Sequence, residues 1–208
     1  MKKGIFISLE GGEGVGKSTQ LTFIENWFKK NNLPYLMTHE PGGTALGEEI
    51  RNVLKYGKYE ILPRSEILLF NAARAELMDE KIIPALNNRI NVISDRFFDS
   101  SIVYQAFGRG LNINEVYDIC KYATNQIEPD ITFWLDLDPK SAFERKFGPD
   151  SGDRFEETGL EFHKKVYDGY KYLAKTFPNR IKRIDASKSV EEVSAQIEYY
   201  LNQKFLEK

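Results

Sequence analysis

The sequence predicts an α/β fold, doubly wound around a five-stranded parallel sheet, and three observations carry that prediction. Short apolar runs alternate along the chain with longer segments whose apolar residues recur at helical spacing. The runs lack strict in-and-out alternation, as strands buried on both faces do. A glycine-rich loop joins the first run to the first helical segment, where parallel-sheet proteins bind anions.

The first strand is Ile5-Phe6-Ile7-Ser8-Leu9, ending in Glu10-Gly11-Gly12. A helix follows from Ser18 to Lys30, with Leu21, Ile24 and Phe28 at helical spacing. The second strand, Leu33 to Thr38, ends in the turn Glu40-Pro41-Gly42-Gly43. Ser65 to Leu86 reads as one long helix carrying Ile67, Leu68, Phe70, Ala73 and Leu77; Pro84 removes an N–H near its end and predicts a kink. The third strand, Asn91 to Ser94, stops at Asp95-Arg96, and the fourth runs from Ile131 to Leu137. A weaker fifth, Ile181 to Ile184, leads to Asp185 and a closing helix from Val190 to Leu206. Strands and helices in this alternation form βαβ units. No repeat, low-complexity tract or linker intervenes, so residues 1–208 read as one domain. Between helical patterns at 139–146 and 157–177, the turn-forming stretch Phe147 to Asp153 reads as a surface loop or as a lid over a substrate.

Composition narrows the class. With 208 residues, 41% hydrophobic and 29% charged, the chain is globular and needs no staples. Its 29 basic and 31 acidic residues leave a net charge of −2, which excludes a nucleic-acid binder held by bulk charge. One cysteine, Cys120, allows neither an intrachain disulfide nor a Cys-built zinc site. No apolar run has the length of a membrane span, and the N-terminal apolar stretch stops at Glu10, so a cytoplasmic protein is expected.

Gly11-Gly12-Glu13-Gly14-Val15-Gly16-Lys17-Ser18, followed by Thr19, fits the G-x-x-x-x-G-K-[ST] pattern between strand and helix. Its glycines let backbone N–H groups converge on phosphate oxygens, and the helix adds its positive end. Lys17 suits the β- and γ-phosphates of a nucleoside triphosphate, and the Ser18 hydroxyl suits Mg²⁺. Asp95, at the end of the third strand, is either a second holder of the metal or a helix cap. Arg96 points a guanidinium toward the crevice at the strand ends, the alternative being a surface ion pair with Asp99. A GTPase-like switch would need an N-K-x-D-type segment, which neither Asn87-Asn88 nor Asn125-Gln126 supplies.

The P-loop is followed, in order, by EPGGT (Glu40 to Thr44), LLFNAAR (Leu68 to Arg74), DRFFDSSIVYQ (Asp95 to Gln105), GRG (Gly108 to Gly110) and PDITFWLDL (Pro129 to Leu137). Together these resemble the thymidylate kinases, ATP-dependent kinases of dTMP, from about residue 4 to the closing helix. The resemblance implies a P-loop nucleoside monophosphate kinase fold with a short lid, placed at about 145–157, and transfer from Mg·ATP to dTMP. It implies that Glu13 accepts the 3′-hydroxyl of dTMP, and that Arg51 and Arg96 hold its 5′-phosphate. Glu40 falls on the family's EPGG glutamate, on the dTMP side. Phe70 would stack on thymine, Arg74 would donate to O4, Ser101 and Gln105 would meet the base edge, and Tyr104 would pack on the 2′-carbon. A lid cation is implied for the transition state, with Arg154 first, then Arg145 and Lys146. The family pattern also implies a homodimer acting on small molecules. His39 departs from it, standing where arginine is usual.

Overall fold

The computed structural model describes residues 3–58, 60–146 and 159–206. Five strands, β1 (Phe6–Glu10), β2 (Tyr35–His39), β3 (Asn91–Asp95), β4 (Ile131–Asp136) and β5 (Ile181–Asp185), form one sheet in the order β2-β3-β1-β4-β5. Every pairing is parallel, as the non-alternating apolar runs require. Successive β1 residues feed two cores: Phe6 with Val92 on one face, Ile7 with Ile93 on the other. The second face is covered by α1 (Lys17–Lys30) and α9 (Val190–Phe205), through Trp27, Phe28, Ile197 and Leu201. The first is covered by α3 (Pro63–Leu77), α6 (Ile113–Ala123) and α8 (Gly159–Thr176), through Leu77, Val116, Cys120, Val166 and Tyr170. The doubly wound expectation is met.

Two elements differ from expectation. The helix read from Ser65 to Leu86 is α3, a π-helical segment Met78–Ile82 and α4 (Ile83–Asn87). Pro84 has no N–H for the carbonyl four residues back, and the chain absorbs that loss by widening the preceding turn. The DRFFDSSIVYQ stretch likewise passes from α5 (Phe98–Ser101) into a π-helical segment, Ile102–Gly108. α2 (Ala45–Tyr56) packs on α3, and its first turn is capped by Thr44, whose hydroxyl accepts the Gly47 N–H at 2.9 Å. α7 (Pro139–Lys146) follows β4 and includes the first two positions of the lid expected at about 145–157, the rest of which falls outside the described residues. Among the described residues no helix is long and apolar enough to cross a membrane.

Strand order reverses at β1, whose neighbours β3 and β4 lead the chain to opposite sides. The crevice beyond the carboxyl ends of β1 and β3 is where this topology opens a ligand site.

Candidate active site

A cavity of about 790 Å³ occupies that crevice. The P-loop from Glu13 to Thr19 forms one wall; Arg51, Phe70, Arg74, Ser101, Tyr104 and Gln105 form the opposite one. Glu40, Asp95, Arg96 and Arg145 also line it. Residues scattered over four expected motifs thus share one space.

Two glycines shape the P-loop for different reasons. Gly16 precedes α1 with φ +95°, in the left-handed region, although a Cβ there would have open space. At Gly11 a Cβ would come within 2.9 Å of Val15 Cγ2 and 3.0 Å of the Leu135 carbonyl, so a side chain is barred by crowding as well. Lys17 Nζ donates to the Gly12 carbonyl at 2.8 Å. Burial, reinforced by the neighbouring Arg96 charge, lowers its pKa to about 8, which leaves it mostly cationic at neutral pH.

Arg96 takes a left-handed backbone conformation with φ +67°, uncommon for a side chain of this size. Its N–H is pinned to the Leu9 carbonyl at 3.0 Å, and its carbonyl accepts Ser94 Oγ at 2.6 Å. The guanidinium thereby turns into the cavity, donating to Gly11 O at 2.8 Å and to Glu13 Oε1 at 2.6 Å over the Tyr104 ring. The alternative pair with Asp99 does not form. Asp99 is buried and held instead by Arg180, at 2.5 and 2.8 Å.

Asp95 Oδ1 is buried in the cavity wall without a hydrogen-bond partner among the described residues. An orphaned carboxylate oxygen is expensive unless a cation or water meets it. With the exposed Ser18 hydroxyl across the P-loop, it offers oxygen donors of the type a hard divalent ion takes. Among the described residues no group of three His, Cys, Asp or Glu could form a dedicated cage. That is the sparse set expected of an ion bound mostly through phosphates and water.

On the opposite wall, Arg74 is 1% exposed and all five of its N–H groups have partners. Nε and Nη2 donate to Glu40 Oε2 at 2.9 and 2.6 Å, Nη2 also to Ser101 Oγ at 2.9 Å, and Nη1 to Asn71 Oδ1 at 2.7 Å and Cys120 Sγ at 3.6 Å. Glu40 therefore fixes Arg74, and contact between Arg74 and a base would require exchange of one of these bonds. Arg51 donates to Pro41 O at 2.7 Å, which ties α2 to the loop after β2. His39 faces Glu48 at 2.9 Å, and the same Glu48 oxygen accepts the Gly43 N–H at 2.7 Å. His39 thus clips the EPGG turn from the side of α2.

A family model described as Thymidylate kinase matches residues 9–197. The chain belongs to the thymidylate kinase family. It is 41% identical over 199 residues to a thymidylate kinase of Carboxydothermus hydrogenoformans, covering 96% of this chain and 97% of that one. A thymidylate kinase of Synechococcus sp. is 45% identical over 193 residues, 93% of each chain. One of Dehalococcoides mccartyi is 44% identical over 199 residues, 95% and 96% of the two.

Beneath this cavity of a thymidylate kinase family member lie side chains that no motif singled out. Glu10, fully buried at the end of β1, accepts the Phe97 N–H at 2.7 Å, Ser100 Oγ at 2.6 Å and the Tyr170 hydroxyl at 2.8 Å. Ser100 in turn accepts from Arg96 at 3.2 Å. Burial, then the nearby Asp99 charge, pushes the Glu10 carboxyl up to about 7. A buried acid directly before a P-loop was the one available sequence signal. Arg145 donates to the Ala186 carbonyl at 3.0 Å, and Arg154 lies outside the described residues.

Proposed function

We propose that this chain transfers the γ-phosphoryl group of Mg·ATP to the 5′-phosphate of dTMP, giving dTDP and ADP for dTTP synthesis. The observation that carries this reading is a single cavity in which a phosphate-binding loop faces a wall of aromatic and base-edge side chains. In the reaction an oxygen of the acceptor phosphate bonds to the γ-phosphorus as the bond to the β,γ-bridging oxygen breaks. The attacking oxygen of the acceptor phosphate is already anionic near neutral pH, and the bridging oxygen leaves with the electron pair on ADP, so positioning and charge neutralisation do the work.

In this reading the P-loop N–H groups and Lys17 hold the donor phosphates, while Arg96 and Arg51 hold the acceptor phosphate. Ser18 and Asp95 would hold Mg²⁺, directly or through water, and the ion would neutralise phosphate charge. Glu13 receives the 3′-hydroxyl when it exchanges Arg96 for substrate. Phe70 stacks on the base, and Tyr104 crowds the 2′-carbon against a ribose hydroxyl. Arg154, with Arg145 and Lys146 as alternatives, supplies the cation of a lid that closes on both nucleotides. A cytoplasmic homodimer completes the reading. It is supported by the exposed apolar side chains Val53 and Tyr56 of α2, Leu68 of α3, and Leu62 between them.

The test is an acceptor panel of dTMP, dUMP, dCMP, UMP and thymidine with ATP and Mg²⁺. dTMP is expected to give the highest kcat/KM. A different best acceptor removes the roles given to Phe70, Arg74 and Tyr104.

A further inference from the structure

Glu66, on α3, is fully buried and lies behind the base-edge wall of the cavity. Its Oε1 accepts Gln105 Nε2 at 3.0 Å and Arg109 Nε at 3.2 Å; its Oε2 accepts Arg109 Nη2 at 3.2 Å. Arg109, whose guanidinium also covers the Phe162 ring at 4.9 Å, comes from the GRG segment, which the sequence left without a role. We propose that the Glu66–Arg109 pair is a positioning device for base selection, holding the Gln105 amide so that its carbonyl, and not its NH₂, faces the nucleobase. This rests on the dTMP reading above.

The argument is one of donor and acceptor inventory. A carboxylate paired with a guanidinium can only accept, so the Gln105 atom that faces it must be the amide nitrogen. The carbonyl is then the remaining end of the amide, on a residue that lines the cavity, and among the described residues Oε1 receives no hydrogen bond. One turn earlier, Ser101 Oγ accepts from Arg74 at 2.9 Å, so the Ser101 hydroxyl hydrogen is left to donate. The wall therefore presents an acceptor and a donor side by side. Thymine and uracil offer the complement, an N3–H donor beside the O4 acceptor. Cytosine offers the reverse, an N3 acceptor beside a 4-amino donor. Without Glu66 the amide could rotate and serve either base. A site that fixes the polarity of one hydrogen bond rejects the wrong partner because its buried polar atoms are left unpaired.

The test measures kcat and KM for dTMP and dCMP with ATP and Mg²⁺ in the parent, Glu66→Gln, and the swap Glu66→Gln/Gln105→Glu, with thermal melting as a check on folding. Glu66→Gln is expected to lower the dTMP-to-dCMP ratio of kcat/KM about tenfold or more, mainly through KM for dTMP. The swap again sets a donor against an acceptor and leaves a carboxylate oxygen toward the base, so it is expected to recover most of that ratio. A folded Glu66→Gln protein with an unchanged ratio, or a swap that recovers melting but not the ratio, overturns the proposal. If Glu66→Gln does not fold, Arg109→Met, which still covers Phe162 but cannot hold Glu66, carries the same expectation. A parent enzyme that does not favour dTMP refutes the dTMP reading itself, independently of these variants.

Discussion

Lys17 and Arg96 enter the cavity from opposite sides of Gly11, whose carbonyl accepts both, at 3.5 and 2.8 Å. In the proposed reaction Lys17 would serve the donor phosphates and Arg96 the acceptor phosphate, the two meeting at this carbonyl. Lys17→Ala and Arg96→Ala are each expected to lower kcat by about 10³ or more with little change in melting temperature, measured by steady-state kinetics and calorimetry. Glu10 gives a prediction in pH. Its folded pKa of about 7 lies above the ordinary 4.5, so the folded chain keeps a proton that the unfolded chain has lost. The stabilisation from protonated Glu10 is thus complete below about pH 4.5 and is lost as pH rises through about 7. Glu10→Gln should flatten the fall in stability between about pH 5 and 8, read from urea unfolding; a curve parallel to the parent's would contradict the burial of this acid. At this scale the P-loop was legible because backbone geometry forces its residue types. Glu10, Glu66 and Arg109 were not, because their roles depend on partners distant in sequence.

Among the elements, the strands were legible as short apolar runs and α1 from Leu21, Ile24 and Phe28 at helical spacing. α6 was not anticipated, although it buries Val116, Cys120 and Ala123, a stripe much like the Ile24, Trp27 and Phe28 of α1. The Asn112 cap, accepting the Asn114 N–H at 2.9 Å, was its clearest signal. The π-helical segments escaped for another reason. They share the dihedral region and apolar spacing of α-helices and differ only in which carbonyl each N–H finds. How α5 is anchored can be tested. Asp99, fully buried, is held by Arg180, the residue just before β5, so Arg180→Met would strand a carboxylate in the core. The expected loss is about 3 kcal/mol in urea unfolding, and replacing both partners with apolar residues should restore much of it.

For the whole molecule, the parallel doubly wound sheet was legible from the alternation of elements, whereas the strand order β2-β3-β1-β4-β5 was not, and the proposed homodimer rests on a surface trace alone. Tyr56, Leu62 and Leu68 are 61%, 65% and 57% exposed on neighbouring elements. Leu68→Glu is expected to convert a dimer into a monomer by light scattering while leaving far-UV circular dichroism unchanged; a parent that is already monomeric would contradict the homodimer. The pairing of the cavity's cations has an electrical consequence. Lys17 rests on Gly12 O, Arg51 on Pro41 O, Arg74 on Glu40 and Arg96 on Glu13, each within 2.8 Å. Carboxylates neutralise Arg74 and Arg96 at their source, whereas the neutral carbonyls under Lys17 and Arg51 leave those two charges to reach solution. A mononucleotide would then be drawn in by Lys17 and Arg51 and gripped by Arg96 only after it displaces Glu13. Association rates should consequently fall moderately as ionic strength rises, while long polyanions, which need an open cationic track, should compete poorly for a site built of local bonds.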